Sequence, residues 1–315
     1  MNQRTPFPRG TLAGSIATVT AAARAGGALQ PIATGCEFVE ERGATFFVRV
    51  LANFQRKAEQ AAAQQRAESV GRPANPFLPY EEALFVANVS ESHVAILNKF
   101  NVVDRHLLIV TRRFEQQQSL LTLRDFEAWW RCLGEFDSLG FYNGGAEAGA
   151  SQAHKHLQLV PLPLAPRGSP VPIAPLLPAL PDAQGHGRVR GFDFCHDFAR
   201  LPAAASEAAA ARRAYETYAA MLGRVGMAPP SGSATDLQSE PYNLLACREW
   251  LLLVPRSREF AGGISVNALG YAGALLVRNE EQLRELRATG PLAALRETAR
   301  PWRACGRPAA GPHAC

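Results

Sequence analysis

The stretch Asn143-Gly144-Gly145-Ala146-Glu147-Ala148-Gly149-Ala150-Ser151-Gln152-Ala153-His154-Lys155-His156-Leu157-Gln158-Leu159-Val160 leaves a folding chain few choices. Its glycines call for a turn, and the alternation that follows calls for a short strand. Successive side chains of a strand point to opposite faces, so His154, His156 and Gln158 share one face. The backbone N–H groups of the glycine-rich turn can close around phosphate oxygens. Two imidazoles and an amide are thus delivered beside an anion-binding loop, an arrangement suited to attack on a phosphoryl group.

The chemistry follows from the residue types. An imidazole is nucleophilic near neutral pH because its ordinary pKa is about 6.5. One ring nitrogen of His156 would attack the α-phosphorus of a nucleotide polyphosphate, and the other N–H then needs a carbonyl or a similar partner to fix the tautomer. The product is a nucleotidyl-histidine, which divides one hard displacement into two easier ones. Gln158 donates an amide N–H to a non-bridging oxygen and has no acid–base role. Ser151 and the N–H groups of Gly149–Gln152 would stabilise charge on the phosphoryl oxygens. Two other readings exist, core packing of the histidines and a metal-binding His-x-His pair. A metal would need further ligands that the sequence does not cluster nearby, and neither reading accounts for the glycine-rich lead-in. His93, His106, His186, His196 and His313 are isolated and read as structural or exposed.

A net charge of +5 suits an anionic ligand, and no dense Lys/Arg patch interleaved with aromatics marks a nucleic-acid binder. Only three of the 33 basic residues are lysine: Lys57, Lys99 and Lys155. An ammonium is a compact point charge where a guanidinium is a planar fork, so these three positions are candidate phosphate contacts. The six cysteines are scattered without a CxxC pair and read as reduced thiols. Met1–Gly10 lacks the regions of a signal peptide, and no apolar run approaches a membrane span. A cytoplasmic protein with no membrane partner is expected.

Along the chain, helices are predicted over Thr11–Arg24, Leu123–Ser138, Ser206–Val225 and Glu280–Ala288. The second is opened by a capping box at Thr122-Leu123-Arg124-Asp125 and carries Phe126, Trp129, Trp130, Leu133 and Phe136 at helical spacing. That stripe reads as a face packed on a sheet. Thr45–Leu51 is a predicted strand, and Ala83–Val89, His93–Leu97 and His106–Thr111 form a meander. Ala58–Glu68 is a polar helix or loop. Tyr242–Ala246 and Trp250–Pro255 form a hairpin, and Gly273–Arg278 is a further strand. The eight prolines between Pro161 and Pro181 can join neither a central strand nor a helix. Residues 166–190 are therefore expected to link two halves, 1–165 and 191–300, with 301–315 a disordered tail.

The run His154-Lys155-His156-Leu157-Gln158, with Asn143-Gly144-Gly145 and Gly149-Ala150-Ser151-Gln152 before it, resembles the histidine triad superfamily. Gln158 stands where the hydrolase members carry a third histidine. The glutamine form resembles the nucleotidyltransferase branch, which includes galactose-1-phosphate uridylyltransferases and diadenosine tetraphosphate phosphorylases (ATP adenylyltransferases). The wider pattern is similar to the phosphorylases: Leu97–Val102, His106–Thr111, Tyr242–Leu245, Val254–Ser257, and Asn267 through Val277. The resemblance covers most of residues 40–290. It implies an α+β fold, a histidine-triad-like antiparallel sheet with packed helices, whose two halves are the N-terminal and C-terminal domains of an ATP adenylyltransferase. It implies phosphorolysis of diadenosine tetraphosphate to ATP and ADP, so the small-molecule partners would be that dinucleotide and phosphate. It names His156, Gln158 and His154 as catalytic. It names Lys57, Lys99, Asn143, Gly149, Ala150, Ser151, Gln152, Asn267 and Arg278 as nucleotide-binding. A divalent cation, Mg2+, is expected on the substrate phosphates and not in a protein cage. The alternatives are a uridylyltransferase for sugar phosphates, in which proline usually replaces Lys155, and a nucleotide sensor without turnover.

Overall fold

The structure is a computed structural model and describes residues 5–52, 75–179, 181–233 and 235–302. Leu12–Ala25 forms α1, and Thr34–Glu41 (β1) pairs antiparallel with Ala44–Leu51 (β2). The meander is present as Phe85–Asn88 (β3), His93–Leu97 (β4) and Leu107–Thr111 (β5). Leu123–Leu133 (α2) follows, then Ser138–Gly144 (β6) and His156–Pro161 (β7). In the second half come His186–Gly187 (β8), Asp197–Arg200 (β9), Glu207–Arg224 (α3) and the hairpin of Tyr242–Cys247 (β10) and Trp250–Pro255 (β11). The chain closes through Phe260–Ala261 (β12), Ile264–Ser265 (β13), Ala268–Tyr271 (α4), Ala274–Val277 (β14), Glu280–Thr289 (α5) and Pro291–Thr298 (α6).

The α+β architecture expected from the sequence is borne out. Among the described residues nine strands make one antiparallel sheet in the order β3-β4-β5-β7-β6-β10-β11-β9-β8. Strand β6 pairs with β10, so the sheet runs without a break from residues before the proline-rich segment to residues after it. A second sheet, β1-β2-β14, joins β2 to β14 in parallel across the length of the sequence. Leu164, Val171, Ile173 and Leu176 of the proline-rich segment are buried in the core beneath that sheet.

The period of two in the strands decides what covers each face of the large sheet. Leu107, Ile109, Leu157, Leu159, Tyr142, Leu244 and Leu253 face α1, α2 and α3. The predicted capping box forms at the second of these helices, and the third is capped as well. Thr122 and Asp125 bond reciprocally at α2, and Ser206 Oγ accepts from Ala209 N–H at α3. On α2, Phe126, Trp129, Trp130 and Leu133 are buried, each contributing about 2–3 kcal/mol. The helix stops at Gly134, four residues before the predicted end. Its Trp129 indole lies so close to β6 that a Cβ on Gly140 would stand 2.5 Å from Nε1, which is why that position has no side chain.

On the opposite face, Leu139, Phe141, Val160, Leu245 and Val254 pack beneath β1-β2-β14 and the C-terminal helices. Farther along that face, Val94, Ile96, Leu108 and Val110 pack with Phe77. His156 and Gln158 alternate with Leu157 and Leu159 and therefore lie between these two apolar clusters. Among the described residues no helix is long and apolar enough to cross a membrane. The cysteines are not the uniform set of thiols that their scatter predicted. Cys36, Cys132 and Cys247 are free, whereas Cys195 is disulfide-bonded. Spacing along the chain carries no record of which sulfurs meet in space.

Candidate active site

The strands β6 and β7 pair from Ser138↔Pro161 to Phe141↔Gln158 and then part. The same register, continued two residues, sets Asn143 opposite His156. There the Gln117 side chain takes the place of a ladder rung. Its Nε2 donates to Asn143 O at 2.8 Å, and its Oε1 accepts from His156 N–H at 2.9 Å. The strands are held open at the point where their side chains are needed.

His156 is 5 % exposed. Its Nδ1–H donates to His154 O at 2.8 Å, so the lone pair is on Nε2, which has no partner among the described residues. Burial, chiefly, and then neighbouring His154 push its pKa down to about 4 despite that backbone bond. Phe77 supplies part of the burial, with its ring centroid 5.3 Å from that of His156 and 5.6 Å from that of His154. The ring is thus a neutral base with a fixed tautomer and one nitrogen available, as a nucleophile requires. His154 has both nitrogens engaged: Nε2 reaches Thr111 O at 2.8 Å and Nδ1 the Asn75 amide at 3.0 Å. What it offers the neighbouring ring is its main-chain carbonyl.

Gln158 is oriented by His106, a histidine whose isolation in the sequence reads as structural or exposed. Asn98 Nδ2 donates to His106 Nδ1 at 3.1 Å, which leaves His106 Nε2–H to donate to Gln158 Oε1 at 3.0 Å. Burial keeps His106 neutral, with a pKa of about 4. The glutamine oxygen is occupied, so its N–H groups are the ones left for a ligand. His106→Leu should lower single-turnover nucleotidyl transfer by roughly 10–100-fold, the usual effect of losing an orienting partner, with little change in substrate affinity.

The glycine loop is pinned from the far half of the chain. Gly149, at φ +86°, lies so near Asn267 that a Cβ there would stand 2.8 Å from that residue's Cβ. Asn267 caps α4 through Leu269 N–H at 3.0 Å, and its amide nitrogen has no partner among the described residues. One expectation needs correction. The N–H groups of Gly149 and Ala150 are spent inside the turn, on Ala146 O and Gly145 O. Among the described residues only those of Ser151 and Gln152 remain without a partner, because a tight turn consumes part of its own donors.

The lysines divide. Lys57 lies outside the described residues. Lys99 follows β4 beside Asn98 and pairs with Glu81 at 2.7 Å, partly exposed. Lys155 is no phosphate contact: strand alternation turns it to the helical face, where its Nζ meets Asp125 at 2.9 Å and Glu115 at 3.1 Å. Arg278 lies on the surface just after β14, with its N–H on Gln282 Oε1 at 2.9 Å. His93, His186 and His196 are structural, each buried with an Asp or backbone partner.

The chain matches known proteins over most of its length. Residues 2–179 match the Ap4A phosphorylase N-terminal domain, and residues 190–301 match the ATP adenylyltransferase C-terminal domain. The chain belongs to the Ap4A phosphorylase family. Diadenosine 5',5'''-P1,P4-tetraphosphate phosphorylase 2 of Saccharomyces cerevisiae is 28% identical over 244 residues, 69% of this chain and 73% of that protein. Protein APA1 of the same yeast is 25% identical, over 71% of this chain and 73% of that protein. The crystal structure of yeast Ap4A phosphorylase Apa2 superposes with a TM-score of 0.75 at 23% identity, covering 94% of this chain and 99% of that one. These relatives favour the phosphorylase branch over the uridylyltransferases.

The family fold, read with the buried imidazoles, predicts two different responses to acid. His106, His156 and His196 each fall from 6.5 to about 4 on folding. Below pH 6.5 the unfolded rings take up protons that the folded rings refuse, so stability is full above 6.5 and declines as pH falls toward 4. Each ring contributes on the order of 3 kcal/mol to that loss. His156 itself stays neutral down to about pH 5. Melting temperature should fall between pH 6.5 and 4, while the rapid-quench rate of adduct formation stays level down to about pH 5.

Proposed function

We propose that this protein cleaves diadenosine tetraphosphate with inorganic phosphate, giving ATP and ADP through an adenylyl group carried on His156. One observation carries the reading. The His156 Nδ1–H is spent on the carbonyl of His154, and this leaves Nε2 on a face shared with the amide nitrogens of Gln158 and Asn143, which have no partner among the described residues. Nε2 attacks the α-phosphorus of one adenylate. An N–P bond forms as the bond to the bridging oxygen breaks, and ATP departs. The positive charge left on the ring is shared through Nδ1–H with the His154 carbonyl. An oxygen of hydrogen phosphate then attacks the same phosphorus, its proton passing to solvent. The N–P bond breaks and ADP leaves.

Gln158 fits this sequence better than an acid would. ATP is a good leaving group and needs no proton, and an amide can hold a phosphoryl oxygen in both steps without changing state. A divalent cation, Mg2+, would neutralise the polyphosphate. Among the described residues no group of three His, Cys, Asp or Glu could hold it, and the open groups at the site are amides and an imidazole. The ion would therefore arrive on the substrate's own phosphates, and no step is assigned to it. The ligands follow the same reasoning: a dinucleoside polyphosphate and phosphate, neither nucleic acid nor membrane, in the cytoplasm.

Incubation with labelled diadenosine tetraphosphate tests the reading. Phosphate-dependent release of ATP plus ADP is expected. ATP plus AMP would make the protein a hydrolase, and tight binding without products would make it a sensor; either overturns the proposal.

A further inference from the structure

Arg256 is 2 % exposed, and among the described residues its hydrogen bonds go to amide and carbonyl oxygens and to no carboxylate. Its Nε donates to Thr298 O at 3.1 Å and one terminal nitrogen to Arg258 O at 2.7 Å. The other terminal nitrogen donates to Asn243 Oδ1. Its guanidinium also lies 5.3 Å from the Tyr271 ring. The acid next in line, Glu259, is engaged by Ser265 Oγ. A buried cation whose hydrogen-bond acceptors are all neutral oxygens, with the Glu259 charge acting only through space, is costly to keep, and no step of the reaction uses it.

Its consequences can be followed bond by bond, because a guanidinium only donates. The oxygen of Asn243 must face Arg256, so the nitrogen of Asn243 faces the other way. That nitrogen donates to Asn143 Oδ1 at 2.9 Å and to Ala148 O of the glycine loop at 2.8 Å. The main-chain N–H of Ala268 donates to the same Asn143 oxygen at 3.0 Å. Two obligate donors therefore fix the Asn143 amide, which would otherwise be free to flip. Its nitrogen is turned away from all of them and has no partner among the described residues. Phe141 and Gln158 are cross-strand partners, so Asn143, two residues on in β6, shares the face of Gln158 and His156.

We propose that Arg256 and Asn243 are positioning residues that lock Asn143 with its N–H groups toward the transferring phosphoryl oxygens and tie the glycine loop to the same frame. The inference rests on the nucleotidyl-transfer reading above and adds to it where the second half of the chain acts. Free rotation of Asn143 would let its oxygen face the phosphate, which repels where the nitrogen attracts. The buried guanidinium makes that flip unfavourable, since it would have to be accompanied by a flip of Asn243 that sets N–H groups against N–H groups.

A double-mutant cycle tests the relay. Excess protein is mixed with labelled diadenosine tetraphosphate, and the rate of label transfer to His156 is measured by acid quench. Asn143→Ala should lower that rate by about 100-fold, the usual cost of one lost oxyanion donor. Asn243→Asp still accepts from Arg256 but gives nothing to Asn143, and should cost a comparable factor. The double variant should be no slower than Asn143→Ala alone. Additive losses, or a wild-type rate in Asn243→Asp, would overturn the relay. If Asn243→Asp does not fold, Arg256→Lys, which keeps the charge and loses the fork, enters the same cycle with the same criteria. Wild-type release of ATP and ADP is the control that separates the two readings. Its absence refutes the function, whereas additivity with an active wild type refutes the relay only.

Discussion

His156→Ala is expected to reduce adenylyl transfer by about 10^4-fold or more, while the protein folds and still binds diadenosine tetraphosphate. The size follows from the role: when a covalent nucleophile is removed, only positioning and charge stabilisation are left. Folding should survive because what β7 needs from this residue is its backbone. The His156 N–H on Gln117 and the pairing of Val110 with His156 both remain. The variant loses ring contact with Phe77 and leaves His154 O without its donor, a loss of about 1–3 kcal/mol. Binding should survive because Gln158, Asn143 and the loop keep their own supports. The measurements are acid-quenched mass spectra for the adduct, melting temperature for the fold, and equilibrium binding of the dinucleotide. Turnover within tenfold of wild type would remove His156 from the chemistry, and collapse of the fold would remove the inference from activity to role.

The fold was legible wherever a period or a cap was strong. The capping box at Thr122, the helix from Ser206, the meander and the hairpin all appear near their predicted bounds. Strand β1 was not foreseen, because Thr34–Glu41 is half exposed and lacks a clean alternation. Helix α6 was missed as well, since Pro291 reads as a breaker when it in fact occupies the first turn, where its missing N–H costs nothing. At the site, the face shared by His156 and Gln158 followed from alternation alone. The residues that hold that face could not be read in the same way. Gln117 lies within a run of three glutamines, and nothing local distinguishes the one that bridges two strands. His106 matters because β5 is the neighbour of β7, a pairing between distant segments. Arg256 and Asn243 act through a sheet register that no window of sequence contains.

Lys155 shows how the same alternation corrects an argument from residue type, and it carries the second large effect. Lys155→Met is expected to destabilise the protein by roughly 3–5 kcal/mol, a fall of about 5–10 °C in Tm, without raising KM for the dinucleotide. The lysine is 1 % exposed on the helical side of β7, and its Nζ also donates to Leu120 O at 3.1 Å. Its main partner, Asp125, binds the capping N–H of Thr122 at 2.6 Å and lies 3.0 Å from His93 Nε2. Burial alone would raise the pKa of that carboxyl. Lys155 first, and then His93 and Thr122, more than offset burial and hold it well below the usual carboxylate range. Without the ammonium, a buried negative charge would remain at the start of α2. Asp125→Asn in the same chain should therefore recover part of the loss, because the charge left behind is removed with its partner. A phosphate contact would behave in the opposite way, with KM rising several-fold at unchanged Tm, and that result would return Lys155 to the substrate side of the strand.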